Sequence, residues 1–466
     1  MKNRTKLIAS AIVASALILG ASGCGGGSDS GSSSNGGNTT SITASQKTAV
    51  LTTYADIALS NYTQAHTDAI ALQVAVLAFT TSPSTATQDT AKAAWKTSRE
   101  SYGTTEAFRL SNGPIDGEEA FSGSFGAPEG QLNAWPLNEA MIDYTQVQSS
   151  VAVTGGNIID GTGNFTGFTS TDGITAVTLG GVGTVDITTI NIALLEKFTE
   201  VDGDANVATG YHAVEFLLWG QDQDYNDPVA DTITNGADVA GQRPFTDYTT
   251  DTNSARRIAY INAAADLIVA DLVKVKDAWT AGVGSYRNAL LNTDTNDTNK
   301  IDADVAIKHI LAGIGVFVKS ELANERIAVA VQDPSEEDEH SCFSDNTHRD
   351  IALNFQGFVN VLKGEYLGAS QGTSFYSLAS AANKTKIDTL VTALEIKIAA
   401  IDTAATSGTH FDTQIKNGNA NKQNIIDTYR EMRDLGDEMV SVASDFGISL
   451  TTADVTDSGE SDQGQN

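Results

Sequence analysis

Residues 51–79 carry apolar or small side chains at the spacing of a single helical face. The steps between them are three and four residues, which is the repeat of an α-helix with one buried side. The positions are Leu51, Tyr54, Ala58, Tyr62, Ala65, Ala69, Leu72, Val76 and Phe79. A helix this long must bury that side against other helices, so the pattern predicts a helical bundle.

Further helices are predicted along most of the chain, which places the fold in the all-α class. They cover approximately 88–110, 137–147, 188–201, 207–220, 254–281, 303–331, 347–363, 376–402 and 411–446. Segment 154–186 differs because it is rich in Gly and Thr, with short β-branched runs. That composition predicts an irregular or small β insertion between helices.

The N-terminus has the layout of a secretory signal. Lys2, Arg4 and Lys6 precede an apolar run over 7–19, and small residues follow up to Cys24. The sequence ASGC resembles a bacterial lipobox, so we predict a signal peptide over 1–24 and a lipid anchor on Cys24. The residue after Cys24 is Gly25 rather than Asp, which indicates sorting of the lipoprotein to the outer membrane. The alternative is ordinary signal cleavage that leaves a free cysteine. A Gly/Ser tether over 25–43 favours lipidation.

Charge and cysteine content limit the possible partners and cross-links. The 58 acidic and 28 basic residues give a net charge of −30, which argues against nucleic acid as a partner. Cys342 would be alone once Cys24 is acylated, so no internal disulfide is expected. The fold must therefore depend on its apolar core.

His212 and Glu215 stand three residues apart within ATGYHAVEFLLWGQDQD, residues 208–224. At about 100° per residue they share one face of a helix that is apolar nearly all round and should be buried. A buried His and Glu must satisfy each other, another polar group or a metal ion. A hydrogen-bonded core pair is the plain alternative to a binding site.

Two more predicted helices carry charged residues on their apolar faces. The same arithmetic places Glu321 and Glu325 on the stripe that contains Ile314 and Val318. The face with Trp95 and Tyr102 also carries Arg99, Glu106 and Arg109. Each could be an ordinary buried ion pair. Together they predict a polar site between helices, where bundles build metal and ligand sites.

The stretch EEDEHSCFSDNTHRD, residues 336–350, is a second dense polar cluster. His340, Cys342, Asp345, His348 and Asp350 could form a metal site, but their spacing differs from that of structural zinc sites. SDNTHRD is typical of a helix start capped by Ser344 or Asp345. We therefore assign His340, Asp345 and His348 a supporting role. In LNAWPLNE, Trp135 is predicted to be a lid or core residue.

GYHAVEFLLWGQD resembles the signature of the imelysin family, whose Gly-x-His-x-x-Glu core matches Gly210, His212 and Glu215. EAFRLSNGPID, EGQLNAWPLNEAMIDY, DGDANVATGYH and ELANERIAVAVQDPSEEDEHSCFSDNTHRDI are similar to other blocks of that family. The resemblance extends from about residue 44 to 450.

This resemblance implies a two-domain helical-bundle fold with the motif near the junction. We place an N-terminal bundle over 44–205, a C-terminal bundle over 206–450 and a flexible acidic tail over 451–466. It also implies a bacterial cell-envelope lipoprotein, facing the periplasm or the cell surface, that acts in iron uptake with iron-transport proteins. The family is also catalogued among metallopeptidases, which would make His212 and Glu215 catalytic.

Two functions follow. The first is binding of a metal ion or an iron-containing ligand such as haem, with His212, Glu215, Glu106, Glu321 and Glu325 as ligands and Gly210, Arg109, Trp135 and Glu139 in support. Three of these four carboxylates together with the imidazole would suit iron at least as well as zinc. The second is zinc-dependent proteolysis, which needs about three protein ligands, a water and a general base. No His-Glu-x-x-His sequence is present, so we favour binding.

Overall fold

A computed structural model describes residues 41–145, 157–165, 184–200, 206–222, 240–293, 299–332 and 339–457, with the backbone of short strands between 153 and 178. Helices dominate these residues, which confirms the all-α class. The predicted signal peptide, Cys24, most of the tether and the end of the tail lie outside the described residues.

The N-terminal part begins with a long helical hairpin. Helix α1 (Ala44–Thr81) starts at Thr43, whose side chain forms a capping box with Gln46, and ends before Pro83. Helix α2 (Thr85–Gly103) starts at a second capping box, from Ser84. Short elements follow: α3 (Glu129–Leu132), α4 (Glu139–Ile142) and α5 (Ile192–Leu195).

The Gly/Thr-rich insertion contains small antiparallel strands, as predicted. Strands β1 (Val153–Thr154), β3 (Gly167–Ser170) and β4 (Ala176–Thr178) form one sheet, and β2 (Asn164–Phe165) pairs with β5 (Val185–Asp186). A separate hairpin of β6 (Glu365–Tyr366) and β7 (Ala369–Ser370) lies late in the chain.

The remaining helices complete the core. They are α6 (Gly210–Trp219), α7 (Ser254–Trp279), α8 (Tyr286–Leu291), α9 (Ala303–Val316) continued by a π-helix (Phe317–Ala328) and α10 (Val329–Gln332), α11 (Thr347–Lys363), α12 (Phe375–Leu378), α13 (Ala381–Thr406), α14 (Phe411–Ile415) and α15 (Lys422–Asp445). In the part of the chain that is described, no helix is long and apolar enough to cross a membrane.

Packing joins early and late parts of the chain. Helix α1 lies along α2 and α7, and α7 also contacts α6. The π-helix and α9 pack on α15, which also contacts α13. Helix α11 contacts α2, α13 and the π-helix, and so connects the two groups. The predicted boundary near residue 205 stays a prediction, although α7, which follows it, packs on α1.

Several predicted helices are shorter than expected. Only Glu139–Ile142 is helical within 137–147, and only Ile192–Leu195 with a 3-10 turn lies within 188–201. The stretch 411–446 is divided into α14 and α15. The apolar side chains of the two shortened segments still lie in the core, since Leu137, Met141, Ile142, Leu194 and Leu195 are buried.

Gly210 sets the start of α6, the helix that carries His212. Its φ is +79°, and a Cβ there would lie 2.4 Å from the carbonyl oxygen of Leu132. A side chain would therefore meet both backbone strain and a collision with rigid backbone. The glycine lets α3 and α6 approach closely, which gives Gly210 a structural role at the site.

Replacing Gly210 by Ala should destabilise the protein by about 2–4 kcal/mol, because strain and overlap both oppose the new methyl group. Gly282→Ala is the matched control, since a Cβ at that position would meet nothing within 4 Å. Urea unfolding of both variants measures the difference. Equal stability of the two variants would contradict the assignment.

Candidate functional site

Helix α6 is buried on every side and is held by its neighbours through its backbone. The indole of Trp95 donates to the carbonyl of Tyr211 at 2.9 Å, and the hydroxyls of Tyr260 and Tyr248 donate to the carbonyls of Ala208 and Leu217. All ten residues of α6 are buried. The position of His212 is therefore fixed by contacts on three sides of the helix.

His212 and Glu215 form the predicted pair. Nδ1 of His212 lies 3.0 Å from Oε2 of Glu215. The other carboxyl oxygen, Oε1, accepts hydrogen bonds from the backbone N–H and the hydroxyl of Ser344, at 3.1 and 2.7 Å. Both oxygens of Glu215 are thus engaged, and the segment around Ser344 is attached to α6.

Burial controls the protonation of this pair. Desolvation raises the pKa of Glu215 to about 8 and holds the pKa of His212 well below its usual value. Both groups therefore favour their neutral forms at pH 7. Because Oε1 accepts from Ser344, the proton of neutral Glu215 lies on Oε2 and faces Nδ1. Loss of that proton leaves Nδ1–H as the donor and a lone pair on Nε2.

A second imidazole lies directly beside the first. The ring centroids of His212 and His340 are 4.7 Å apart. Nδ1 of His340 lies 2.8 Å from Oδ2 of Asp350, which also accepts from the hydroxyl of Ser341. Desolvation lowers the pKa of His340 to about 4. Each of the two rings thus has a carboxyl group at Nδ1.

Trp135 covers both imidazoles. Its ring centroid is 4.8 Å from that of His212 and 6.3 Å from that of His340, and its side chain is half-buried. The ring centroid of Phe343 is 5.7 Å from that of Trp135. This position agrees with either of the predicted roles, lid or core residue.

Nε2 of His212 is a buried polar atom that no described residue satisfies. It is shielded from solvent and has no hydrogen-bond partner. Buried polar atoms without a partner are uncommon, so this one calls for an explanation such as a bound ligand or water. The plain alternative, a satisfied core pair, explains Nδ1 but leaves Nε2 unexplained.

An arginine layer, formed by Arg99, Arg326 and Arg109, connects the imidazole pair to two of the predicted carboxylate ligands, Glu106 and Glu321. Arg99 forms an ion pair with Asp350 at 2.9 Å and also contacts Asn133, which donates to Glu106. Glu106 accepts from Arg326 at 2.5 Å, and Arg326 also donates to Glu321.

Arg109 extends this layer and lies 2.8 Å from Glu321. The guanidinium groups hold the pKa of Glu106 below its usual value and that of Glu321 at about 2, although desolvation opposes both shifts. Glu106 and Glu321 are therefore ionised and paired with arginine.

The prediction that Glu325 lies on the core face is wrong, because Glu325 is exposed. The helical arithmetic assumes α-helical turns, whereas Phe317–Ala328 is a π-helix with wider turns. The inward position goes instead to the next residue, Arg326, which is buried.

Not all of the predicted supporting residues lie beside His212. His340 belongs to the imidazole pair. Asp345 forms an ion pair with His410 at 2.6 Å, and His348 lies 3.7 Å from Asp402. Glu139 begins α4. The structure thus does not bring Asp345 and His348 into contact with His212.

The predicted capping by Ser344 or Asp345 is also wrong. Asn346 holds the N-cap position of α11 and makes no side-chain capping bond. Ser344 binds Glu215 instead. Sequence reasoning did not identify Ser344 or Arg326 as site residues. Ser344 belongs to a 3-10 turn, which gives no periodic signal. Arg326 faces inward only because the π-helix has wider turns than the α-helix that the sequence pattern assumes.

The described side chains at the site do not provide a complete set of metal ligands. Within the described ranges, no three His, Cys, Asp or Glu side chains are arranged to hold a metal ion. The five predicted ligands therefore do not form one coordination sphere. Two neighbouring imidazoles with carboxyl groups at Nδ1 do fit the usual surroundings of histidine ligands. They would fill only part of a coordination sphere.

The free energy of unfolding of Glu215→Gln, measured relative to that of the wild type, should increase as the pH rises from about 5 to about 8. The unfolded chain loses this proton above about pH 4.5, whereas the folded protein keeps it to about pH 8. Wild-type stability therefore falls across this window, by at most about 1.4 kcal/mol per pH unit. Gln has no proton to lose.

Urea unfolding at both pH values checks this, with Glu118→Gln, an exposed position, as the control. A wild-type-to-variant difference that does not change with pH would contradict the buried neutral carboxyl.

Comparisons with known proteins identify the family. The imelysin family model matches residues 58–439. The structure of an iron-regulated protein A precursor from Parabacteroides distasonis aligns with a TM-score of 0.59 at 18% identity, over 88% of this chain and 97% of that one. An imelysin-like protein from Psychrobacter arcticum gives a TM-score of 0.49 at 12% identity, over 88% and 98% of the two chains.

No curated protein matches the chain. The first of the two solved structures supports the fold. The family model covers most of the sequence and confirms the resemblance read from Gly210, His212 and Glu215. The chain belongs to the imelysin family.

Proposed function

We propose that this protein binds an iron-containing ligand at His212 and His340 and acts in iron uptake at the bacterial cell envelope. One observation carries the proposal: Nε2 of His212 is buried without a partner, while Glu215 fixes Nδ1. A carboxyl group on the far nitrogen orients an imidazole ligand and makes it more basic. His340, with Asp350 at Nδ1, offers the second nitrogen.

The surrounding charges favour a metal that arrives with its own anionic donors. Desolvation is the largest cause of the low pKa of both imidazoles, and Arg99 and Arg326 lower the pKa further, against the opposite effect of Asp350. Burial and the two guanidinium groups therefore oppose added positive charge. A bare cation would meet that opposition. A ferric chelate or haem carries carboxylates that the guanidinium groups can attract, and its iron would accept the nitrogen lone pairs.

Iron rather than zinc is supported by similarity and by the number of ligands. A protein of this fold is named an iron-regulated protein A precursor. Two imidazoles fall short of the roughly three protein ligands of a zinc peptidase. Glu215 has both oxygens occupied and so cannot easily serve as the base. Proteolysis therefore ranks second.

Location follows from the N-terminal sequence. Basic residues, an apolar run and Cys24 support a lipid-anchored protein of the outer membrane, and the Gly/Ser tether would hold the helical part away from the lipid. Partner proteins for iron transport belong to the same proposal.

Replacing His212 by Ala should abolish iron retention. Protein purified without chelators, incubated with ferric citrate and desalted, should keep about one iron per chain, and affinity should fall about 10–100-fold or more without the imidazole. His66→Ala is the control, because His66 lies on α1 outside the site. Circular dichroism verifies folding. Equal retention by wild type and His212→Ala, or none in wild type, would refute the proposal.

Glu215→Gln separates orientation from packing. Because Oε1 accepts from Ser344, the amide nitrogen of Gln would face Nδ1 and hold the imidazole proton on Nε2. In the wild type, loss of the Glu215 proton lets Nδ1 carry the imidazole proton and frees the Nε2 lone pair, whereas Gln has no proton to lose. Iron retention should then fall about 10-fold or more with little loss of helicity. Unchanged binding would contradict coordination through Nε2. Chelator-sensitive cleavage of a peptide that disappears in the same variant would favour the peptidase instead.

A further inference from the structure

A second buried polar group surrounds Arg109 and Arg326, two members of the arginine layer. Ion pairs of 2.5 to 3.5 Å join five of its members, and the charges of these groups shift the pKa values of the other two, Tyr102 and Asp116. We call this group the Arg109 cluster, and it consists of Tyr102, Glu106, Arg109, Asp116, Glu129, Glu321 and Arg326.

Several oxygen atoms of the Arg109 cluster have no hydrogen-bond partner among the described residues. They are the hydroxyl of Tyr102, Oε1 of Glu106 and Oδ1 of Asp116. Oε1 of Glu129 forms a loose ion pair with Nε of Arg109 at 3.4 Å and also has no hydrogen bond. Tyr102 and Glu106 are essentially inaccessible, at 0% and 1% exposure. Buried oxygens of this kind are normally satisfied by water or a ligand.

The cluster has more acid groups than basic ones. Glu106, Asp116, Glu129 and Glu321 face two guanidinium groups, those of Arg109 and Arg326. Arg99 does not correct the difference, because it is paired with Asp350. A buried excess of negative charge is costly unless protons or cations neutralise it. Burial raises the pKa of Asp116 to about 6 and that of Glu129 to about 7, so protons neutralise part of this excess near neutral pH and a bound cation would take their place. The unpartnered oxygens and the excess of acid groups thus favour the same kind of ligand.

Exposure is graded across the cluster. The side chains of Glu321, Arg109 and Glu129 are 22%, 13% and 12% exposed, whereas that of Glu106 is 1% exposed. A small hydrated ion could therefore enter past Glu321 and Glu129 without passing the imidazole pair.

We propose that the Arg109 cluster binds a hydrated divalent cation of the Mg²⁺ or Mn²⁺ class. Such ions prefer oxygen ligands and keep several waters, so one or two carboxylates are enough to hold them. Bound waters would donate to Tyr102, Glu106 and Asp116. This mode agrees with the finding that no three acidic or imidazole side chains of the described chain converge on one point.

This site shares no donor atom with the proposed iron site. Its donors are oxygens of the Arg109 cluster, and it uses neither His212 nor His340. The two sites can therefore be tested separately on the same protein.

Manganese binding tests the proposal. The purified full chain is titrated with Mn²⁺ at about 0.15 M salt, which screens non-specific attraction to its acidic surface, and free Mn²⁺ is followed by electron paramagnetic resonance. One site with Kd below about 1 mM is expected. Glu129→Gln should weaken it about 10-fold or more, because it removes a charged oxygen ligand. Glu118→Gln, an exposed change on the same segment, should leave it unchanged.

Tyr102→Phe provides a variant that is expected to fold. The hydroxyl has no protein partner to lose, so urea stability should hardly change while Mn²⁺ affinity falls about 3- to 10-fold. His212→Ala should bind Mn²⁺ as wild type does, whatever happens to iron. The proposal would be overturned if the wild type had no Mn²⁺ site with a Kd below about 1 mM. It would also be overturned if Glu129→Gln and Tyr102→Phe both bound Mn²⁺ as tightly as the wild type does.

Discussion

Removal of water from the His212–Glu215 pair is the constraint on which the site depends. Inside a helix that is buried all round, neither a carboxylate nor an imidazolium is stable alone. The pair therefore stays neutral and depends on Ser344 to satisfy the second carboxyl oxygen. That bond attaches the 3-10 turn Cys342–Ser344 to α6, which places His340 against His212.

Asp350 performs the corresponding task for His340, but by ionic means. It stays charged because Arg99, His340 and Ser341 all contact it. The two imidazoles are thus oriented by carboxyl groups in opposite protonation states at neutral pH. This difference arises from the surroundings alone, since Arg99 lies against Asp350 and none of the hydrogen bonds to Glu215 comes from an arginine.

The sequence predicted the helical class, the burial of the His212–Glu215 pair and the polar faces around Arg99 and Glu106. These features depend on periodicity, which is local. It did not predict where the polar faces would meet. Glu325 was misplaced because hydrogen bonding changes to the π-helical pattern at Phe317, and a residue repeat cannot show that change.

Ser344 was assigned to a helix cap because Ser before a helix usually has that role; only the tertiary contact with Glu215 shows otherwise. The five predicted ligands do not form a single metal site, and the cause is again tertiary. Arg326 and Arg99 come from distant parts of the sequence, and they enter between the imidazoles and Glu106.

The arginine layer also connects the two groups electrostatically. A continuous series of ion pairs and hydrogen bonds runs from His340 to the Arg109 cluster. It passes through Asp350, Arg99 and Asn133 and reaches Glu106 and Arg326, which are members of the cluster. Charge added at one end changes the balance seen by the arginines at the other. An anionic ligand beside the imidazoles would offset part of the positive potential that the guanidinium groups create at Glu106. The potential in the Arg109 cluster would become more negative, which favours a bound cation there. By reciprocity, a cation in the cluster frees guanidinium charge for an anionic ligand at the imidazoles. Two sites of opposite preference that one cationic layer connects should therefore strengthen each other's binding.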